Sequence, residues 1–487
     1  MKKLILLFAA LMLPLALFAK TTVVYHTSDT HGFYYPKDGV GGFAALKGFI
    51  NKGPAQYLLL DGGDFSNGTV EAKNSKGLKS VEMMNAVGYH ASTVGNHEFD
   101  FYEEGVAPIL EKAKFSILAA NFFEAETNKR PAHVLPYKIF HVDGVDIAVI
   151  GIANRYPTKK TKKYKFSKPL EALEQALSEV EKQNPDVVAV IVHDSLQDDK
   201  HGTESYVGDI GRQFSGRVHI VFGGHAHKIF QNEYVNKVLF VESGCNIKNV
   251  SKVEIITDDK TGKFVSASSE LIPLTVEKTG TDAAVEKLGE ELREAGVDEI
   301  VGKATATLSK RAANKKHADS SLDNWIADLG KAYSGAEVFI HNTGGTRVDM
   351  LKGNVTRRDL IDIHPFENTI TQVKVTGLFL KKLVKSGLHP WSRFTYSGLT
   401  ATYKVNKKGK VKRLKIWVNG KKVKNKQTYI IATNSFIAEG GSEGYLFKQI
   451  PETDKKQLGT KTIRGLMEDA LRQGEVSPVE TGRLVQL

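Results

Sequence analysis

Residues 22–32 read Thr-Val-Val-Tyr-His-Thr-Ser-Asp-Thr-His-Gly, an apolar, β-rich run that stops at two groups able to bind a metal ion, Asp29 and His31. The same arrangement returns four times downstream. Asp64 follows the run at 58–60 within Asp61-Gly62-Gly63-Asp64, and Asn96 and His97 follow the run at 92–94 within Gly95-Asn96-His97-Glu98-Phe99-Asp100. His193 ends the run at 187–192, and His225 and His227 follow 220–222 within Gly223-Gly224-His225-Ala226-His227. Helical patterns at 43–51, 80–87, 103–113 and 170–183 separate these runs, and such alternation predicts an α/β architecture with largely parallel sheets. In parallel sheets ligands collect at the carboxyl ends of the strands, so the five loops are expected to converge.

The donors suit two divalent ions. Asp29, His31 and His227 suit one, and Asn96, His193 and His225 suit the other, while Asp64 has two carboxylate oxygens and can serve both. Carboxylate, imidazole and amide oxygen together fit Zn, Mn, Co or Fe rather than a soft thiolate site. Two such ions about 3.5–4 Å apart lower the pKa of a water between them and clamp the oxygens of an in-line phosphoryl displacement. A single cysteine, Cys245, excludes a disulfide framework and any cysteine-rich metal site.

The 487 residues exceed the span of one hydrophobic core, and 41% hydrophobic with 25% charged residues excludes wholesale disorder. Lys2 and Lys3 precede an apolar run at 4–18 and the small residue Ala19, so residues 1–19 read as a secretory signal peptide and the protein as exported, to the periplasm or the extracellular medium. No later apolar run approaches the roughly 20 residues of a spanning helix, so no stable membrane insertion is expected after signal removal. The first domain is placed at 20–278, a charged linker helix within 279–299, and a second domain at 300–487, where the strand–helix pattern restarts. A formal charge of +12 favours anionic partners without naming one. The basic runs at 159–168 and 404–426 are read as a solvated loop and lysine-guarded edge strands, not as a surface for a nucleic acid polymer, because too few aromatics accompany them.

The ordered blocks Asp29-Thr30-His31, Gly62-Gly63-Asp64, Gly95-Asn96-His97-Glu98, His193 and Gly223–His227 resemble the calcineurin-like metallophosphoesterases. Gly63-Asp64-Phe65-Ser66-Asn67-Gly68-Thr69 and Gly95–Asp100 resemble the secreted 5′-nucleotidase branch, and the resemblance extends through the second domain. It implies a four-layer α/β/β/α metallophosphoesterase sandwich followed by an α/β nucleotide-recognition domain, with two divalent metal ions as cofactors. It makes His97 and Asp100 a catalytic pair, His97 stabilising transition-state charge and Asp100 orienting it. In the second domain, Asn342-Thr343-Gly344-Gly345-Thr346-Arg347 resembles a Gly-Gly-x-Arg block whose arginine grips phosphate. Pro365-Phe366-Glu367-Asn368 and residues 434–445 resemble the blocks in which two aromatics, here Phe366 and Phe436, sandwich a base while Asn368 bonds its edge.

Two positions depart from that pattern. Lys316 stands where the family commonly has an arginine, and Gly440-Gly441-Ser442-Glu443-Gly444 replaces a Gly-Gly-Asp-Gly block, leaving Glu443 as the group facing ribose. The expected activity is hydrolysis of nucleoside phosphates to nucleoside and phosphate by a monomer. The alternatives are a 2′,3′-cyclic nucleotide phosphodiesterase with 3′-nucleotidase activity, a UDP-sugar pyrophosphatase, and a secreted nucleotide-binding protein without catalysis.

Overall fold

The structure is a computed structural model describing residues 19–153, 161–197, 205–312, 318–388, 393–406 and 409–487. The expected signal peptide, apart from Ala19, and Lys316 lie outside the described residues. The chain divides into two compact units between Arg293 and Glu294.

The first unit is built on two sheets. One has the strand order Phe264–Pro273, Asn249–Asp258, Ala19–Thr27, Leu58–Asp61, Ala91–Ser92, Ser116–Leu118, Val134–Leu135; the other runs Ile229–Val235, Val238–Ser243, Ile220–Phe222, Val187–Val192, Val145–Ile152, Tyr137–Val142. From Ala19–Thr27 to Val134–Leu135 the first sheet is parallel, as is the second from Val145–Ile152 to Val238–Ser243; antiparallel strands flank both.

The parallel strands are buried on both faces, which is why they read as continuous apolar runs. Alternate residues nevertheless serve different layers. Leu58 and Leu60 join Ile147, Val149, Ala189, Ile191 and Phe222 in a core between the sheets. Leu59, one residue along, faces Phe43, Leu46, Val81, Met84 and Ile109 of the helices Phe43–Ile50, Leu78–Val87 and Tyr102–Lys112. On the far face of the second sheet, Ile150, Val188 and Val190 pack with Leu173, Leu177 and Ile210 of the helices Pro169–Val180 and Val207–Phe214. These three cores make the helix–sheet–sheet–helix sandwich. The charged helix Ala283–Leu292 buries Val285 and packs Leu288 and Leu292 onto the first of the helical layers.

In the second unit a five-stranded sheet runs Phe394–Ser397, Val338–Asn342, Thr428–Asn434, Thr369–Thr376, Lys456–Thr462. A four-stranded sheet runs Lys421–Lys422, Val411–Val418, Leu399–Val405, Leu484–Gln486. The helices Ser321–Ser334 and Ile463–Gln473 cover one core, around Phe339, Trp325 and Met467, and Gly377–Ser386 covers the other, around Tyr396, Ile416 and Phe447. A tight turn at Asn419-Gly420 joins Val411–Val418 to Lys421–Lys422, with both residues at positive φ. Within 404–426 the expected lysine-guarded edge is formed by Lys421–Lys422, which ends its sheet, and by residues 411–416, whose only strand partner among the described residues is Leu399–Val405. Lys404 lies on that interior strand, which pairs with Val411–Val418 on one side and Leu484–Gln486 on the other.

Candidate metal centre

Each ligand block of the first unit lies just beyond its strand, and the loops are laced together by backbone hydrogen bonds. Asp29 N donates to the Gly63 carbonyl and His31 N to the Asp64 carbonyl, both at 3.0 Å; Gly224 N reaches the Asp194 carbonyl and Asn246 N the Asp29 carbonyl. Asp29, His31, Asp64, His225 and His227 all adopt positive φ, between 50° and 73°. That left-handed backbone costs a non-glycine residue about 1–2 kcal/mol, so the surrounding structure must impose it. Gly95 and Gly224 permit the crowding: a Cβ on either would stand 2.1 Å from Asp64 Oδ1 or Ser28 Oγ respectively.

Two groups of ligand atoms result. In Asp29, His31 and His227 they lie within 4.8 Å of one another, and the same holds for Asp64, His193 and His225. His31 Nε2 is 3.1 Å from His227 Nε2, and His227 Nε2 is 3.4 Å from Asp29 Oδ1. His193 Nε2 is 3.0 Å from Asp64 Oδ2. His31 Nδ1 donates to the Asn67 carbonyl at 2.8 Å and His193 Nδ1 to the Gly62 carbonyl at 2.7 Å, so both rings turn Nε2 toward a carboxylate. A carbonyl holding Nδ1–H while Nε2 faces the centre is the arrangement that a metal-ligating imidazole needs. With oxygen and nitrogen donors converging in this way, the residues fit borderline divalent cations. Asn96 sits beside them in the turn after Gly95, its Oδ1 buried.

Burial alone would raise both buried carboxyls. The opposing charges of His193, His97 and His31 hold Asp64 well below the usual range, and a hydrogen bond with His227 together with His193 lowers Asp29. Burial would lower His193, but Asp64 pushes it up to about 10.

Sequence reasoning passed over the group that organises these loops. Glu98 is buried, and its carboxylate accepts hydrogen bonds from four backbone N–H groups: Asp64 at 3.0 Å, Phe65 at 2.9 Å, Ser66 at 3.0 Å and Gly95 at 2.7 Å. Asp61 performs a similar task one layer deeper, accepting from Gly63 N and from the Thr27 and Ser92 hydroxyls, each at 2.9 Å. The only linear signal for either was an acidic residue beside a ligand block.

His97 Nδ1 pairs with Asp100 Oδ2, which also accepts from Asn67 Nδ2 at 2.6 Å. The following helix begins at Tyr102 with Phe101 at its N-cap, so the Asp100 side chain is engaged with His97 rather than with the helix. The His97 side chain is 35% exposed, open enough to meet a ligand.

In the second unit, three blocks meet at one end of the five-stranded sheet. Val338–Asn342 and Thr428–Asn434 are parallel and both end there, while the antiparallel Thr369–Thr376 begins there, with Ile370 opposite Asn434. Asn434 Nδ2 donates to Asn342 Oδ1 at 2.8 Å, tying two of the blocks. The Arg347 guanidinium lies 5.8 Å from the centre of the Phe366 ring. Phe366 and Phe436 are 39% and 44% exposed, unusual for phenylalanine in a packed unit. Asn368 is partly buried, its carbonyl accepting from Ile463 N at 3.0 Å. Glu443 is partly buried in the short helix Ser442–Gln449.

Beneath the Arg347 loop, the Thr346 hydroxyl donates to Asp323 at 2.6 Å and accepts from His341 Nε2 at 3.0 Å. Burial pushes the Asp323 carboxyl up to about 6, against the Thr346 and Ser320 hydroxyls. A carboxyl raised on folding stabilises the fold fully below its unfolded value of 3.8 and loses that contribution as pH rises through about 6. Asp323→Asn is therefore expected to shrink the stability lost between pH 4.5 and 7.5 by about 2 kcal/mol, read from urea unfolding of both proteins at the two pH values.

Sandwich and centre together define a metal-dependent phosphoesterase. The chain matches the calcineurin-like phosphoesterase family over residues 22–229 and the 5′-nucleotidase C-terminal domain over 300–449. It belongs to the calcineurin-like phosphoesterases that carry a 5′-nucleotidase C-terminal domain. A 5′-nucleotidase of Vibrio vulnificus is 26% identical over 479 residues, covering 87% of this chain and 85% of that protein. Endonuclease YhcR of Bacillus subtilis is 26% identical over 411 residues, covering 80% of this chain, which spans only 33% of YhcR. The crystal structure of a 5′-nucleotidase precursor from Thermus thermophilus shares the fold, with a TM-score of 0.74, 22% identity, and coverage of 96% of this chain and 99% of that one.

Proposed function

We propose that this metal-dependent phosphoric ester hydrolase is an exported 5′-nucleotidase releasing phosphate from nucleoside 5′-phosphates. The observation that carries the reading is the pair of three-residue ligand groups at neighbouring strand ends, each containing one buried aspartate. Asp29, His31 and His227 would hold one divalent cation, Asn96, His193 and His225 a second, and Asp64 would serve both. Two such cations supply Lewis acidity and a water acidic enough to act as nucleophile near neutral pH.

The chain's own residues do the rest. Asp100 accepts the Nδ1 proton of His97, favouring the imidazolium and leaving Nε2–H to donate to a phosphoryl oxygen as charge develops. Arg347 offers two parallel N–H donors to phosphate. Phe366 and Phe436 stack on a base and Asn368 bonds its edge; stacking of this kind is tolerant of base identity.

The test is phosphate release from AMP, 3′-AMP, 2′,3′-cyclic AMP and UDP-glucose after chelation and readdition of Mn, Zn, Co or Mg. Metal-restored release from AMP is expected to dominate. Turnover confined to the cyclic nucleotide or to UDP-glucose would replace the substrate assignment, and nucleotide binding without turnover under any metal would replace the enzyme by a binding protein. His97→Ala is expected to lower kcat roughly 10²-fold, and Asp100→Asn about tenfold, in steady-state assays. Phe366→Ala is expected to raise KM by roughly ten- to a hundredfold with kcat little changed, since it removes binding shared by ground and transition states.

A further inference from the structure

The charge of this chain is concentrated in one stretch. Residues 368–438 contain 16 Lys and Arg and no Asp or Glu, whereas the whole chain carries +12, so everything outside those 71 residues nets −4. Of the basic residues in that stretch that are described, none forms an ion pair; Lys381 instead donates to Asn425 Oδ1. Elsewhere in the same unit lysines and arginines pair freely, as in Lys303–Glu475, Lys461–Asp469 and Arg464–Glu367.

The four-stranded sheet arranges part of this charge on one face. Leu399, Ala401, Tyr403, Ile416 and Val418 face the core, so the alternate residues face out. The register then sets Lys404 opposite Lys412, Thr402 opposite Lys415, and Trp417 between Thr400 and Lys422, with Val485 beside Thr402. Like charges directly across a ladder destabilise it. Edge protection leaves Lys404 unexplained, because Leu399–Val405 is paired on both sides, and places no demand on Trp417 between Lys415 and Lys422.

We propose that this face adsorbs the protein to an anionic lipid bilayer. Four lysines and a half-buried tryptophan on one face of the sheet suit a headgroup layer: ammonium groups meet lipid phosphates and the indole sits at the interface. Thr400 and Thr402 add no stacking surface and the sheet presents no element shaped for a nucleic-acid groove, so the lipid surface is favoured over RNA. The lysines make this attachment electrostatic; among the described residues no helix is long and apolar enough to cross a membrane.

The test uses the full chain and sedimentation with phosphatidylcholine vesicles, with and without phosphatidylglycerol. Binding is expected only with phosphatidylglycerol, and to vanish near 0.5 M salt, where the Debye length falls to about 4 Å. A variant carrying Lys404→Gln, Lys412→Gln, Lys415→Gln and Lys422→Gln is expected to bind roughly 10²-fold more weakly, with AMP hydrolysis in free solution unchanged. Independently of that variant, wild-type tryptophan emission is expected to shift to the blue on these vesicles, and that of Trp417→Phe to stay in place. No binding by wild type, equal binding by the lysine variant, an emission shift that survives Trp417→Phe, or binding to single-stranded RNA in preference to the vesicles would each overturn the proposal.

Discussion

Asp64→Asn is expected to abolish phosphate release, lowering kcat by roughly 10⁴-fold or more. The carboxylate is buried and already engaged at both oxygens: Oδ1 accepts from His97 N at 2.7 Å and Oδ2 faces His193 Nε2 at 3.0 Å. An amide keeps the volume but removes the negative charge and turns one acceptor into a donor, opposed to one of those partners. In the proposed centre Asp64 serves both cations, so one substitution weakens both sites. Elemental analysis should find fewer than two metals per chain while circular dichroism retains the native fold. A variant that keeps two metals and turns over normally would remove Asp64 from the centre.

Glu98→Gln is expected to destabilise the first unit by about 3–5 kcal/mol and to lower metal affinity by roughly ten- to a hundredfold. Four buried N–H groups, two per oxygen, converge on this carboxylate. In glutamine one oxygen becomes an NH₂ that meets two of those donors head on, leaving them buried without an acceptor at about 1–3 kcal/mol each. The loss falls on the segment carrying Asp64 and on the Gly95 turn before Asn96, so stability and metal binding move together. Urea unfolding gives the first effect and metal titration the second; a shift in only one of them would separate fold support from loop placement.

Much of the centre was legible because parallel strands are read as apolar runs and their carboxyl ends are where α/β sheets expose loops. The helices at 43–51, 80–87, 103–113 and 170–183 appear within three residues of their expected ends, since each carries a clear apolar stripe. Asp-Gly is a local hairpin signal of the same kind: Asp143 and Gly144 join Tyr137–Val142 to Val145–Ile152, and both adopt the positive φ that a tight turn demands. The short helices Val70–Asn74 and Val207–Phe214 escaped, one being too brief for periodicity and the other holding two glycines. Glu98 and Asp61 escaped for a different reason. A carboxylate that acts on backbone N–H groups leaves no pattern of side-chain types to detect.

Strand periodicity and ligand type are local properties, so the chemistry of the donors, their order and their position after successive strands are readable along the chain. Which donors meet is a matter of packing. His31 and His227, 196 residues apart, approach to 3.1 Å because their strands, Ala19–Thr27 and Ile220–Phe222, belong to two different sheets packed face to face over a shared core. Packing of distant loops likewise imposed left-handed backbone on five ligand residues, as no local preference would. The same non-locality placed Lys404 on an interior strand, when residues 484–486 paired beside Leu399–Val405 and completed a sheet with a positively charged outer face.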